Sequence, residues 1–307
     1  MKARAPGKVL LTGAYAVLEG APALVVAVDR YAQADTARDE EEPTAEVAHA
    51  LGAGAPACDR SHLFHDGTKI GLGSSAAVLV ASLGAVYAAR GQDLADSEVR
   101  SSIFSRARDV HREVQGGGSG FDVAASTYGG VLRYSLLSGV PCILTTELPE
   151  NLHFSVFFSG ESARTSDLLA QVRTFKERDP DAHRRCILAL GQASEFAVRQ
   201  CEAGTAAEFI AAVRYFGQTL EELSEATSDA GDGIIVPLSF KRLTVAAAEE
   251  RATFLPSGAG GGDIGVFLGE SPPSENFLKR ASQLGMHALT LGIDRDGVRV
   301  SPAEVPV

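Results

Sequence analysis

Cysteine is sparse in this chain, and strongly basic runs are missing altogether. The four cysteines, Cys58, Cys142, Cys186 and Cys201, are scattered and form no Cys-x-x-Cys pair. That predicts buried thiols in a reducing cytosol rather than disulfides or a zinc site. No lysine- or arginine-rich run offsets the formal net charge of −11. Nucleic acid and anionic membrane are therefore not expected as main partners, while a local basic site stays open. No apolar run reaches the ~20 residues that span a bilayer. The stretch Met1 to Lys8 lacks a signal-peptide core. The seven histidines contain no His-x-x-x-His or His-Glu-x-x-His pair, so no transition-metal site is indicated. These absences predict a cytoplasmic globular chain. Its 307 residues, 45% hydrophobic and 22% charged, suffice for two domains.

Glycine, by contrast, is abundant, and it gathers in three stretches at 71–77, 116–122 and 258–263. The first, Lys69-Ile70-Gly71-Leu72-Gly73-Ser74-Ser75-Ala76-Ala77, runs straight into an apolar segment at 78–87. Two glycines permit a tight turn and a close approach to a ligand. The two serines are expected to cap the helix that follows. A helix begun this way points unpaired N–H groups and a positive dipole end at an anion, most simply a phosphate. The dipole contributes only ~0.3–1 kcal/mol, or ~2 when partly buried, so Lys69, Lys8 or a metal must assist. A dinucleotide fingerprint would require an acidic residue after a second strand about 20 positions on; Asp93 has the distance but lies in a polar stretch. No Gly-Lys-Ser/Thr follows the loop, so the Walker pattern is absent. For each loop alone a tight turn stays open. Three such loops around one polyanion suit phosphoryl transfer, where catalysis is mostly positioning and charge neutralisation.

Periodicity predicts short strands at 2–5 and 8–11 around a Pro6-Gly7 turn, and a buried strand at 23–28. Residues 35–66 read as a long loop with one short strand near 45–48. Helices are predicted at 74–90, 96–114, 121–127, 161–177, 181–202, 205–226, 239–251 and 276–284, with strands at 131–134, 142–145, 153–158, 252–255, 265–268, 288–292 and 298–301. Phe209, Val213, Phe216 and Leu220 fall on one helical face and are assigned to the core. Strands and helices mix without a regular βαβ alternation, so the fold class is α+β. A polar proline turn at 148–151 marks the expected boundary between domains at 1–150 and 151–307.

Three motifs carry a family resemblance. Ala5-Pro6-Gly7-Lys8-Val9-Leu10-Leu11-Thr12-Gly13-Ala14-Tyr15, Gly71-Leu72-Gly73-Ser74-Ser75-Ala76 and Pro256-Ser257-Gly258-Ala259-Gly260-Gly261-Gly262-Asp263 resemble, in order, the three motifs of the galactokinase–homoserine kinase–mevalonate kinase–phosphomevalonate kinase (GHMP) family. They span residues 5–263, nearly the whole chain. The resemblance implies a two-domain fold with the active site between an ATP-binding domain, 1–150, and a C-terminal domain, 151–307. Lys69 before the loop and the stretch from His111 through Gln115, Gly116, Ser119, Gly120 and Asp122 to Ala125 are similar to the branch that phosphorylates mevalonate 5-phosphate in isoprenoid synthesis. Ala14 departs from the family, where an acidic residue is common. His111 stands where relatives place a magnesium-binding glutamate.

The resemblance then implies roles. Gly71, Leu72, Gly73, Ser74, Ser75 and Ala76 wrap the phosphates of ATP, with Lys69 touching them and Ser75 holding Mg2+. Glu113 is either a second acidic group near the metal or part of a solvated helix face. Asp122 matches the catalytic aspartate and Lys8 the lysine that pairs with it. Ser119, Gly120, Ser162, Arg164 and Thr165 hold the acceptor, and Gly258, Ala259 and Gly260 complete the pocket. The expected partner is this small-molecule substrate, with no nucleic acid or membrane, in a monomer or homodimer. A phosphate-monoester acceptor loses its second proton near pH ~6, so Asp122 is expected to position groups more than to remove a proton. The alternatives are a kinase acting on mevalonate or on another small molecule of the family, and a non-catalytic nucleotide-binding regulator.

Overall fold

The computed structural model describes residues 1–161, 165–228 and 234–302. The chain runs β1 (Lys2–Thr12), β2 (Ala23–Asp39), α1 (Ala45–Leu51), β3 (Pro56–Asp59), β4 (Phe64–His65), β5 (Thr68–Lys69), α2 (Ser74–Ala89), α3 (Ser97–Gln115), α4 (Phe121–Tyr128), β6 (Val131–Leu137), β7 (Val140–Thr146) and β8 (His153–Phe158). It continues through α5 (Thr165–Arg178), α6 (Pro180–Ala203), α7 (Ala206–Thr227), α8 (Leu238–Glu249), β9 (Thr253–Pro256), β10 (Ile264–Gly269), α9 (Glu275–Gln283), β11 (His287–Leu289) and β12 (Arg299–Val300). This is an α+β chain.

Two compact units emerge, each discontinuous in sequence. The first takes Met1–Val9, Val26–Val131 and the chain from Gly292 on; the second takes Leu10–Val25 and Leu132–Leu291. A single cut at 150 differs from this division, because β1, β2 and β6 each cross from one unit to the other along the chain.

In the first unit α2 is the central helix. Its residues from Ala76 to Ala85 are buried on every side, as expected of a helix that is apolar all round. It packs on α1, α3 and α4. Asp96 caps α3 by accepting from the Glu98 and Val99 N–H groups, and Gly116 ends it in the left-handed region. β12 pairs antiparallel with β1, Ala3 opposite Val300. Asp294 accepts from Gly130 N–H at 2.6 Å through its carbonyl and donates its N–H to Ala27 O at 2.9 Å. In the second unit β11, β8, β10 and β9 form an antiparallel sheet in that order. Phe157, Phe254, Phe267 and Phe277 pack ring on ring there. Helix α7 opens with a capping box between Thr205 and Glu208, and Phe209, Val213, Phe216 and Leu220 are buried as its period predicts.

Several local expectations need correction. Pro6 and Gly7 form no turn, since β1 continues through both. The segment at 45–48 is helical, not extended: Thr44 caps α1 by accepting from Val47 N–H, and Val47 and Ala50 are buried at helical spacing. Residues 35–66 hold the end of β2, α1 and β3 rather than one long loop. Neither Ser74 nor Ser75 caps α2; Gly73 is the cap residue and both serines lie inside the helix. The four cysteines are unbridged, but only Cys201 is buried and the other three are half-buried. Burial pushes the Cys58 and Cys201 thiols up to about 12. Among the described residues no helix is long and apolar enough to cross a membrane.

Candidate active site

The first unit gathers one group of the expected residues. Lys8 lies on β1 and is 8% exposed. Its N–H donates to Leu72 O at 2.8 Å, and its Nζ donates to Gly71 O at 3.2 Å. Backbone and side chain of Lys8 are thus both tied to the glycine loop. Gly73, at φ 75°, turns that loop into α2. The first intrahelical bond shown is from Ala77 N–H to Gly73 O, 3.1 Å. This leaves the N–H groups of Ser74, Ser75 and Ala76 directed ahead of the helix, where an anion is favoured. Lys69 ends β5, two residues before Gly71, and is exposed.

Asp122 sits in the first turn of α4, which begins after Gly120 at φ 90°. Its Oδ1 accepts from Val123 N–H at 2.9 Å. Its Oδ2 lies 3.6 Å from His111 Nε2, with side-chain exposures of 20% for Asp122 and 12% for His111. The same Nε2 lies 3.2 Å from Ser75 Oγ. Lys8 Nζ stands 6.0 Å from the ring centre of Phe121, the neighbour of Asp122. Ser119 is buried in the segment joining α3 to α4. Lys8, the 71–76 loop, Ser75 and Asp122 are therefore brought together, and His111 joins Ser75 to Asp122. Glu113 instead pairs with His49 of α1 at 3.0 Å, both side chains more than half exposed.

The second unit holds the other glycine loop. Tyr15 donates its hydroxyl to Ala259 O at 2.6 Å, and Leu10 N–H donates to Ser257 Oγ at 2.9 Å. Tyr15 is 6% exposed, and burial pushes its hydroxyl well above the ordinary phenol value. Gly261 N–H reaches Ile235 O at 2.9 Å. Thr165 is exposed at the start of α5. Ser162 and Arg164 lie outside the described residues.

Among the described residues no group of three or more His, Cys, Asp or Glu side chains could hold a metal ion. Near the glycine loop the Ser75 hydroxyl and the Asp122 carboxylate offer oxygen donors on either side of His111 Nε2. Magnesium is commonly held by one or two protein oxygens together with substrate phosphates. This donor set fits a magnesium that arrives on a nucleotide and does not fit a preformed protein cage.

The profile of the GHMP kinases N terminal domain matches residues 67–130, the stretch carrying Lys69, the glycine loop, His111 and Asp122. Residues 67–130 therefore resemble a GHMP kinase N-terminal domain, and the chain has the GHMP-kinase fold. Its GHMP-kinase fold is shared with a Lin0012 protein from Listeria innocua, 22% identical, with a TM-score of 0.85 over 99% of this chain and 100% of that one. A second structure with this fold is Streptococcus pneumoniae phosphomevalonate kinase in complex with phosphomevalonate and AMPPNP. It is 21% identical, with a TM-score of 0.78 over 95% of this chain and 99% of that one. In sequence this chain is 28% identical to the phosphomevalonate kinase of a Streptomyces species over 89% of its length and 91% of the relative. It is also 28% identical to the mevalonate kinase of Archaeoglobus fulgidus, over 89% of its length and 94% of that relative.

Sequence reasoning missed His111 as a bridging residue. The one signal available was its departure from the family's acidic residue. It also missed the hydrogen bond from Tyr15 to Ala259, which no spacing in the sequence announces.

Proposed function

We propose that this chain is a GHMP kinase that transfers the γ-phosphoryl group of ATP to mevalonate 5-phosphate, giving mevalonate 5-diphosphate. The observation that carries the reading is the likeness to the Streptomyces phosphomevalonate kinase along nearly the full length of both chains. The site adds support. Forward-facing N–H groups of α2, with Lys8 beside them, suit a triphosphate. Two phosphorylated substrates repel one another, and Lys8 and Lys69 are the cations placed at the loop to offset that repulsion. Ser75 and Asp122 would hold a magnesium ion arriving with the nucleotide, which would supply further neutralisation of phosphate charge.

The chain's own residues do the rest. The 71–76 backbone holds and orients the phosphates. Lys8 draws negative charge toward the loop end of α2. Asp122, fixed at Oδ1 by Val123 N–H, orients the acceptor side. A phosphate acceptor is largely deprotonated above pH ~6, so a strong base is not required. The mevalonate kinase reading is kept alive by the A. fulgidus relative, which is matched at the same 28% identity.

The test is ADP release with ATP and magnesium, comparing mevalonate 5-phosphate, mevalonate and galactose, for the wild type and Asp122→Asn. Turnover is expected with mevalonate 5-phosphate alone. The Asp122→Asn enzyme should keep its pH dependence while losing rate. Turnover with mevalonate would replace the acceptor assignment and return Asp122 to the role of base. Nucleotide binding without turnover on any acceptor would favour a regulator.

A further inference from the structure

The structure joins three elements of the first unit at one nitrogen. Ser75 is at the start of α2, Asp122 is in the first turn of α4, and His111 reaches both from α3. Its Nε2 lies 3.2 Å from Ser75 Oγ and 3.6 Å from Asp122 Oδ2. The side chain is 12% exposed, so its place is set by packing as well as by these contacts. A neutral imidazole offers either a donor or an acceptor at a given ring nitrogen. In the tautomer with hydrogen on Nε2, His111 presents a donor to the Ser75 and Asp122 oxygens, 3.2 and 3.6 Å away. With Nε2–H present, Ser75 Oγ and Asp122 Oδ2 both lie on the acceptor side. The Ser75 hydroxyl hydrogen is then turned away from His111, and a lone pair is held in a fixed direction.

Asp122 has two restraints. Oδ1 accepts from Val123 N–H at 2.9 Å, and Oδ2 faces His111. Losing the second leaves the carboxylate plane free to rotate about the first. The Ser75 side chain would at the same time regain its rotamers.

We infer that His111 is a positioning residue of the phosphoryl-transfer site, orienting the Ser75 hydroxyl and the Asp122 carboxylate together so that both oxygens are set before nucleotide and magnesium bind. The inference rests on the kinase reading above but not on the identity of the acceptor. It assigns to His111 a role through its neighbours, with no contact to the reacting atoms.

The variants are His111→Ala, which removes the contact, and His111→Gln, whose amide nitrogen can replace the Nε2 donor. The first measurement is AMPPNP affinity by calorimetry, with magnesium and with EDTA. Groups that orient metal ligands typically change affinity or activity by about 10–100-fold when removed. His111→Ala is expected to weaken AMPPNP by about 10-fold in magnesium and to leave the EDTA value unchanged, with His111→Gln recovering most of the loss. In turnover, His111→Ala should lower kcat more than it changes the KM of the acceptor. Equal weakening of AMPPNP in magnesium and in EDTA would mean that His111 only supports packing, and would overturn the inference. So would unchanged magnesium-dependent affinity in His111→Ala, or no recovery in a folded His111→Gln. If the wild type turns over none of the acceptors, the function reading falls, while the AMPPNP comparison still decides the role of His111.

Discussion

Gly73 carries two constraints at a single residue. It sits at φ +75°, and a Cβ there would stand 3.0 Å from both Cγ and Cε of Lys8. Gly91 shares the first constraint but not the second: φ is +80° and nothing lies within 4 Å. A left-handed conformation costs an L-residue about 1–2 kcal/mol. Gly73→Ala and Gly91→Ala should therefore lose similar unfolding free energy in urea titrations. Only Gly73→Ala should also lose ATP turnover, because the added methyl displaces Lys8 from Gly71 O. Equal turnover in the two variants would show that the Lys8 position is not critical. That Gly73 and Lys8 meet at one loop was legible in the sequence, because both lie in motifs whose local order is the signal. His111 was harder to read. It stands 36 positions from Ser75, and its value depends on which face of α3 meets the loop. Residues 111 and 113 are two apart, about 200° around the helix at 3.6 residues per turn, so they cannot serve the same site. The sequence offered Glu113 as a carboxylate but not its direction, toward His49.

Among the elements, β12 and the segment before it are held by a buried ionic cluster. Arg299 pairs with Asp294 at 2.6 Å, where the Asp294 side chain is 2% exposed. Tyr31 donates to the same carboxylate at 2.8 Å, and the guanidinium groups of Arg4 and Arg299 lie 4.6 and 5.2 Å from its ring centre. Burial alone would raise the Asp294 carboxyl, but hydrogen bonds from Arg299, Tyr31 and Gly297 N–H, with the Arg299 charge, hold it below the ordinary carboxylate value. A carboxyl depressed in the folded state stabilises fully above its unfolded value, ~3.9, and that contribution is lost as pH falls through the lower folded value. Asp294→Asn leaves Arg299 without its counter-charge, a change that costs about 3 kcal/mol or more for buried pairs. Urea titrations should show that gap near pH ~7 and a narrowing gap as the wild type is acidified below ~3.9. A gap that stays constant into acid would assign the loss to shape rather than charge. Elements of this kind were partly legible. The long amphipathic helices α6 and α7 follow from period alone, within a residue or two at each end. Helix α1 did not, because seven residues give too few turns for a 3.6-residue period to stand out, and its stability comes from a cap and from packing on α2 and α3.

For the molecule as a whole, the chain's path matters more than any one element. A proline turn at 148–151 looks like a boundary because local composition is all a sequence window sees. The first unit instead draws in the chain from Gly292 on. That segment supplies Val298, which is 0% exposed. It also supplies Val298 N–H to Thr127 O at 3.1 Å and Ser301 N–H to Lys2 O at 2.9 Å, besides both backbone bonds of Asp294. Burying one valine contributes about 1.5–3 kcal/mol, and each hydrogen bond about 0.5–1.5 kcal/mol net. Together with the Asp294–Arg299 pair, the loss is comparable with the ~5–15 kcal/mol that holds an ordinary domain folded. A fragment of residues 1–150 contains the glycine loop, Lys8, His111 and Asp122, yet it lacks this closing segment. It should show no cooperative thermal transition and no saturable AMPPNP binding, whereas the intact chain shows both. A fragment that melts cooperatively near the temperature of the intact chain and binds AMPPNP would restore the boundary at 150. It would also mean that the contacts made by the segment from Gly292 on are an accessory to the nucleotide-binding unit and not a condition of its folding.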